Sequence, residues 1–173
     1  MLLDRYDVGE RATSACAAPT EWLERLGLRD SIRQTFPELL VHTTGGTTRW
    51  ELPLSFSTFD YRKLCELLRA GSPSVQFDTA TVESVETSAV HRICTDRGEL
   101  RAPLVVDALG WRRVLSNRPA IQPPDARLSR GLEVHPGGSS DDMEVWIDPR
   151  YVRAGYSWCF PADGELRIGV GSF

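Results

Sequence analysis

Histidine and methionine are scarce in this chain of 173 residues, which has three of the first and two of the second. His42, His91 and His135 fall on strand-like segments with no Ser, Cys or acid at triad-like spacing, which disfavours hydrolase chemistry. The four cysteines, Cys16, Cys65, Cys94 and Cys159, stand far apart, with neither a C-x-x-C pair nor a histidine cluster beside them, so no metal site is expected. Basic residues do not dominate: 20 Lys and Arg against 24 Asp and Glu give a net charge of −4 and argue against nucleic acid as a partner. No apolar run approaches the ~20 residues that span a bilayer, and residues 1–20 lack the pattern of a signal peptide. A reduced, cytoplasmic chain, at most peripheral to a membrane, is the simplest expectation. There is no internal repeat and no heptad pattern, and the sole biased tract is the proline-rich stretch 118–125.

What is present is the material of a packed core. Hydrophobic residues make up 41% and charged residues 25%, in a length that suits about one domain. Met1, Leu2, Leu3 and Asp4 read as the end of a buried strand closing on an acid, followed by a polar, non-periodic loop over 5–18. Pro19 suits a first helical position, with Trp22, Leu23 and Leu26 on one face before Gly27. A second short helix is expected over 30–36, ended by Pro37. Strands 39–42 and 47–52 flank Gly45-Gly46, a hairpin signal. Asp60 is a good N-cap for a helix carrying Tyr61, Leu64, Cys65, Leu67 and Leu68, with Gly71 as its stop. From Val75 the period becomes two. The pattern predicts a meander through Phe77, Val82, Val85 and 90–94, a turn at Asp96-Arg97-Gly98, and a strand from Leu100 to Leu109. After the prolines, strands are expected over 131–134, 143–147, 156–160 and 166–171.

Four features can carry chemistry, each with a plain structural reading beside it. Asp4, at the end of an apolar strand, stands where a dinucleotide-binding unit places the acid that takes a ribose hydroxyl, or it is a turn residue. The glycine-rich phosphate loop belonging to such an acid would lie ~20 residues upstream, before Met1. The run 104–110 reads as a buried strand entering Gly110, where backbone can approach a ligand; the alternative is a strand leading to a solvated basic turn. Tyr156, Trp158 and Phe160 alternate with small residues and should share one strand face, forming a wall for a flat or apolar ligand or part of a sheet core. Cys16, in a loop of small residues, is either a thiol near a reactive group or an inert cysteine.

Taken in order, these pieces resemble flavin-dependent oxidoreductases of the geranylgeranyl reductase type, within the wider group of p-hydroxybenzoate hydroxylase-like flavoproteins and flavin-dependent halogenases. The resemblance rests on Leu2-Leu3-Asp4-Arg5, the Cys16 loop and Phe59-Asp60-Tyr61. It continues through Val105-Val106-Asp107-Ala108-Leu109-Gly110 and Tyr156-Ser157-Trp158-Cys159-Phe160-Pro161, followed by Asp163-Gly164 and Ile168-Gly169-Val170-Gly171. It implies FAD as cofactor, with Asp4 and Arg5 at the adenosine ribose, Asp107 and Gly110 at a second flavin-binding turn, and Cys16 near the isoalloxazine as the catalytic candidate. Tyr156, Trp158 and Phe160 would line the cavity of a small apolar substrate, an isoprenoid in the reductases. NAD(P)H is a candidate electron donor. Two departures stand out: Leu109 where the family usually has an acid in its second turn, and Tyr61 where it usually has arginine.

The implied fold class is α/β (α+β): a partial Rossmann-like FAD-binding domain lacking its first strand and glycine loop, joined to a β-rich substrate domain. The corresponding division is 1–38 (partial FAD-binding domain), 39–57 (β-hairpin insertion of the substrate domain), 58–117 (helix and meander of the FAD-binding domain) and 118–173 (substrate sheet). The implied activity is reduction of a carbon-carbon double bond by hydride from reduced flavin, in a protein at least twice as long. This stretch alone is expected to be inactive and to hold FAD weakly, since the pyrophosphate would miss a glycine loop and helix N-terminus. An FAD-dependent monooxygenase or halogenase, and a non-catalytic β-rich binding module, are the alternatives.

Overall fold

The computed structural model describes residues 1–11, 17–108 and 130–172. The described residues of Arg11–Gly71 and Arg127–Phe173 form one compact unit, and those of Met1–Glu10 and Ser72–Ala126 form another.

The larger unit is a seven-stranded sheet in the order β2-β4-β3-β10-β11-β12-β9, with two helices and a 3-10 turn at one end. Its strands are β2 (Ala17–Pro19), β3 (Ile32–Thr43), β4 (Gly46–Phe59), β9 (Arg130–Val134), β10 (Met143–Ile147), β11 (Gly155–Pro161) and β12 (Leu166–Ser172). All pairings are antiparallel except β10 on β3, which is parallel. The long hairpin β3–β4 turns through Thr44-Gly45, as the glycine pair suggests, with Thr43 Oγ1 donating to the Gly46 carbonyl at 3.1 Å.

The helix expected over 30–36 is absent. A 3-10 turn, Arg29–Ser31, closes on the Ser31 hydroxyl, which donates to the Leu28 carbonyl at 2.6 Å, and β3 then runs on through Pro37. Ile32, Thr35 and Phe36 suit a pleated, half-buried surface better than a helix. Pro37 sits where the register slips, since Phe36 pairs with Phe56 but Glu38 with Glu51, so its missing N–H breaks no ladder bond.

The core at the helical end packs Leu23, Leu28 and Phe59 against Ala18, Ile32, Tyr61, Leu64 and Leu67. Helix α1 (Thr20–Arg25) follows Pro19, and with only six residues it buries Leu23 alone, while Trp22 and Leu26 of the expected shared face are exposed. Gly27, at φ +72°, turns the chain so that Leu28 N–H bonds back to the Leu23 carbonyl at 2.7 Å and both leucines enter the core. Helix α2 (Tyr61–Ala70) begins as its sequence suggests: the Asp60 carboxylate accepts from Lys63 N–H at 2.9 Å, and the tyrosine and leucines at 61, 64 and 67 form its inward stripe.

The smaller unit has two sheets. Strand β1 (Leu2–Asp4) lies parallel to β5 (Phe77–Thr79), with Asp4 opposite Thr79. Strands β6 (Val82–Glu86), β7 (His91–Thr95) and β8 (Gly98–Ala102) form an antiparallel meander that buries Val85 and Ile93. Strand β1 is present but not buried, with Leu2 49% exposed. The strand expected to reach Leu109 stops at Ala102. Pro103 cannot donate to the ladder, residues 104–108 pair with no described strand, and Leu104 and Val106 are exposed.

Candidate functional site

The described cofactor candidates, Asp4, Arg5 and Asp107, lie in the smaller unit. Asp4 ends β1, and its carbonyl accepts from Ala80 N–H at 2.8 Å, which fixes the strand end against the residue after β5. Its exposed carboxylate takes Tyr6 N–H on Oδ1 at 3.0 Å, as the turn reading expects. Arg5 stacks its guanidinium 4.8 Å from the centre of the Tyr6 ring. Asp107 is exposed in the irregular segment after Pro103. Cys16 and Gly110 lie outside the described residues.

The aromatic candidates lie in the larger unit and do share one face of β11. Tyr156 and Trp158 have ring centroids 5.6 Å apart and tilted by 44°, and Trp158 and Phe160 are 6.3 Å apart and tilted by 34°. Cross-strand register extends this face through directly opposed residues. The row through Trp158 runs Glu133, Gly169, Trp158, Val145, Val41, Thr48 across β9, β12, β11, β10, β3 and β4. Beside it, Tyr156 faces Gly171 and then Gly131, while Phe160 faces Arg167.

The glycines explain the shape of the wall. A Cβ on Gly169 would lie 2.1 Å from Trp158 Cζ2, so the indole can lie across β12 only because that position has no side chain. Gly171 and Gly131 complete the strip, their Cβ positions 3.6 and 3.8 Å from the same ring. Trp158 is thereby buried, at 8% exposure, whereas Tyr156 at 46% is the accessible end of the wall.

Sequence reasoning missed two neighbours of this wall, Glu133 and Arg167. Trp158 Nε1 donates to Glu133 Oε2 at 2.7 Å, and Arg167, almost wholly buried, donates to Glu165 at 3.1 Å. The alternation Leu132-Glu133-Val134 suggests that the apolar pair faces inward, yet Leu132 and Val134 are 76% and 63% exposed. The signal available was Gly131, two residues before an acid and on its face, beside a strand that itself carries two glycines.

The opposite face of the same sheet holds a polar cluster. His42 Nε2 donates to Glu144 Oε2 at 2.7 Å, its Nδ1 meets Thr47 Oγ1 at 2.9 Å, and its ring stacks on Trp146 at 4.8 Å. Cys159 pairs directly with Glu144 across the strands, and burial together with that negative charge pushes its thiol pKa up, the reverse of a reactive thiolate. Among the described residues no group of three His, Cys, Asp or Glu side chains is placed to hold a metal ion, and no helix is long and apolar enough to cross a membrane.

No protein-family model matches the sequence, and no curated protein matches it. Solved structures do match. A geranylgeranyl bacteriochlorophyll reductase-like protein from Thermoplasma acidophilum matches 98% of this chain and 49% of its own, at a TM-score of 0.71 and 15% identity. A flavin-dependent brominase gives a TM-score of 0.71 at 13% identity over 98% of this chain and 48% of that one. PqsL, a probable FAD-dependent monooxygenase from Pseudomonas aeruginosa, gives 0.65 at 16% identity over 98% and 52%. The chain carries part of the fold that these proteins share. It spans about half the length of these proteins, and its architecture is mixed α+β and mostly sheet.

Proposed function

We propose that the chain is part of an FAD-dependent oxidoreductase that reduces a carbon-carbon double bond of a small apolar, isoprenoid-like substrate. The observation that carries the reading is the Tyr156-Trp158-Phe160 wall laid over a glycine strip, in a fold shared with flavin enzymes. The accessible end of the wall at Tyr156, backed by the buried Trp158, offers aromatic surface that would hold an unsaturated chain by contact area.

The residues present fit FAD at its adenosine end. The Asp4 carboxylate stands exposed at the carboxyl end of a parallel strand, the place from which an acid can receive a ribose hydroxyl. Arg5 beside it supplies a positive charge, and by the resemblance Gly110 would sit at the second flavin-binding turn, with Asp107 two residues before Leu109, which stands where the family usually has its acid. When bound, reduced FAD would supply the hydride to one carbon, and a proton from solvent would complete the other. Cys16 would stand close to the ring by the same resemblance, and NAD(P)H would restore the reduced state. The chain's own part is to bind the two partners and orient the substrate's double bond.

Monooxygenation or halogenation on the same scaffold is the second reading, favoured by the equal likeness of the brominase and the reductase-like protein, both at a TM-score of 0.71. The test takes the protein from its natural source, loaded with FAD, reduced without oxygen and mixed with geranylgeranyl diphosphate. Anaerobic reoxidation of the flavin with a product two hydrogens heavier supports the reductase. Reoxidation only when oxygen is admitted, with a hydroxylated or halogenated product, replaces it with the second reading.

A further inference from the structure

The glycine strip provides a floor for Trp158 but no direction. A ring lying on bare backbone can turn about its terminal torsion, which is broad and roughly two-fold. Direction comes from β9. The indole leaves β11, crosses β12 above Gly169 and ends with Nε1 on Glu133 Oε2 at 2.7 Å, a charge-assisted bond at the far side of two strands. Glu133 is itself held: its Oε1 accepts from His135 Nε2 at 2.7 Å, His135 Nδ1 lies 3.4 Å from Glu165, and Glu165 accepts from Arg167 at 3.1 Å. The network occupies the end of the sheet where the wall's aromatic face meets edge strand β9.

We propose that Glu133 is a positioning residue for the wall: by capturing Trp158 Nε1 it fixes the indole flat on the glycine strip and so sets the floor against which an apolar ligand lies at Tyr156. The inference rests on reading the wall as the substrate surface. Removing the acceptor leaves a buried indole N–H without a partner, and the ring then leaves its place on the strip.

The test uses the 15N-labelled chain, whose five tryptophans each give one indole N–H signal. Trp158→Phe identifies the signal of Trp158. In Glu133→Leu that signal is expected to move upfield and to lose its protection from hydrogen exchange, with the other four unchanged as proof of folding. Glu133→Gln, whose amide oxygen still accepts, is expected to restore most of both. With farnesol as probe, Glu133→Leu is expected to bind about tenfold more weakly, roughly 1.4 kcal/mol, and Glu133→Gln close to the wild type. A Trp158 signal that stays in place in Glu133→Leu overturns the positioning role. A signal that moves while farnesol binding is unchanged in Glu133→Leu and Trp158→Phe overturns the proposal at its ligand end, through the reading of the wall, although the bond itself stands.

Discussion

The two candidate regions are supported in different ways. Trp158 is held by neighbours on both flanking sides of β11, with Gly169, Gly131 and Glu133 on one and Val145 on the other, all in a seven-stranded sheet. Asp4 ends a strand of three residues paired with one other strand. The wall is therefore a product of register within this chain, and changing it should cost stability. Asp4 is an exposed group on a small support, and changing it should cost binding alone.

Trp158→Ala should have the largest effect, a loss of about 3–5 kcal/mol typical of deleting a buried large aromatic, read from urea unfolding. Gly169→Ala should follow at about 1–3 kcal/mol, because a Cβ so close to the ring displaces it. In the same variant the Trp158 near-UV signal should change. If Gly169→Ala is neutral, the indole does not lie on the strip. Asp60→Ala should cost about 1 kcal/mol through the lost N-cap bond to Lys63. Asp4→Ala should stay within about 0.5 kcal/mol, as exposed substitutions do. A larger loss would show that β1 is supported by that carboxylate, and would erase the contrast between the regions.

The smallest effect concerns acid. Hydrogen bonds from Arg49 hold the Asp142 carboxyl below its ordinary pKa, and Arg150, through its side chain and backbone N–H, does the same for Asp148. A carboxyl depressed in the folded state stabilises it above the ordinary carboxylate range and loses that contribution as pH falls through the depressed value. Melting temperature should thus drop as pH falls below about 4, and Asp142→Asn should flatten that drop. These groups lie at the ends of β10, so the drop should be read in the larger unit.

Much of this was legible in the sequence where local chemistry decides the outcome. Asp60 and the leucine spacing specify α2, the glycine pair marks the β3–β4 turn, and the alternation of 156–160 puts three aromatics on one face. The failures occurred where tertiary pairing overrules local signals. Pro37 reads as a helix stop, yet it occupies a slip in the ladder that only the partner strand β4 provides. The apolar run after Pro103 reads as a buried strand, but no described strand lies beside it. Glu133 was invisible for the same reason: its role depends on a strand that meets it only through the register of β12.

The most direct measurement is an FAD titration of the protein from its natural source, in wild type, Asp4→Ala and Tyr156→Ala. Asp4→Ala is expected to weaken FAD about tenfold, the equivalent of roughly 1.4 kcal/mol, while Tyr156→Ala leaves FAD affinity unchanged. Equal losses in both variants, or none in Asp4→Ala, would contradict the assignment of cofactor to one region and substrate to the other.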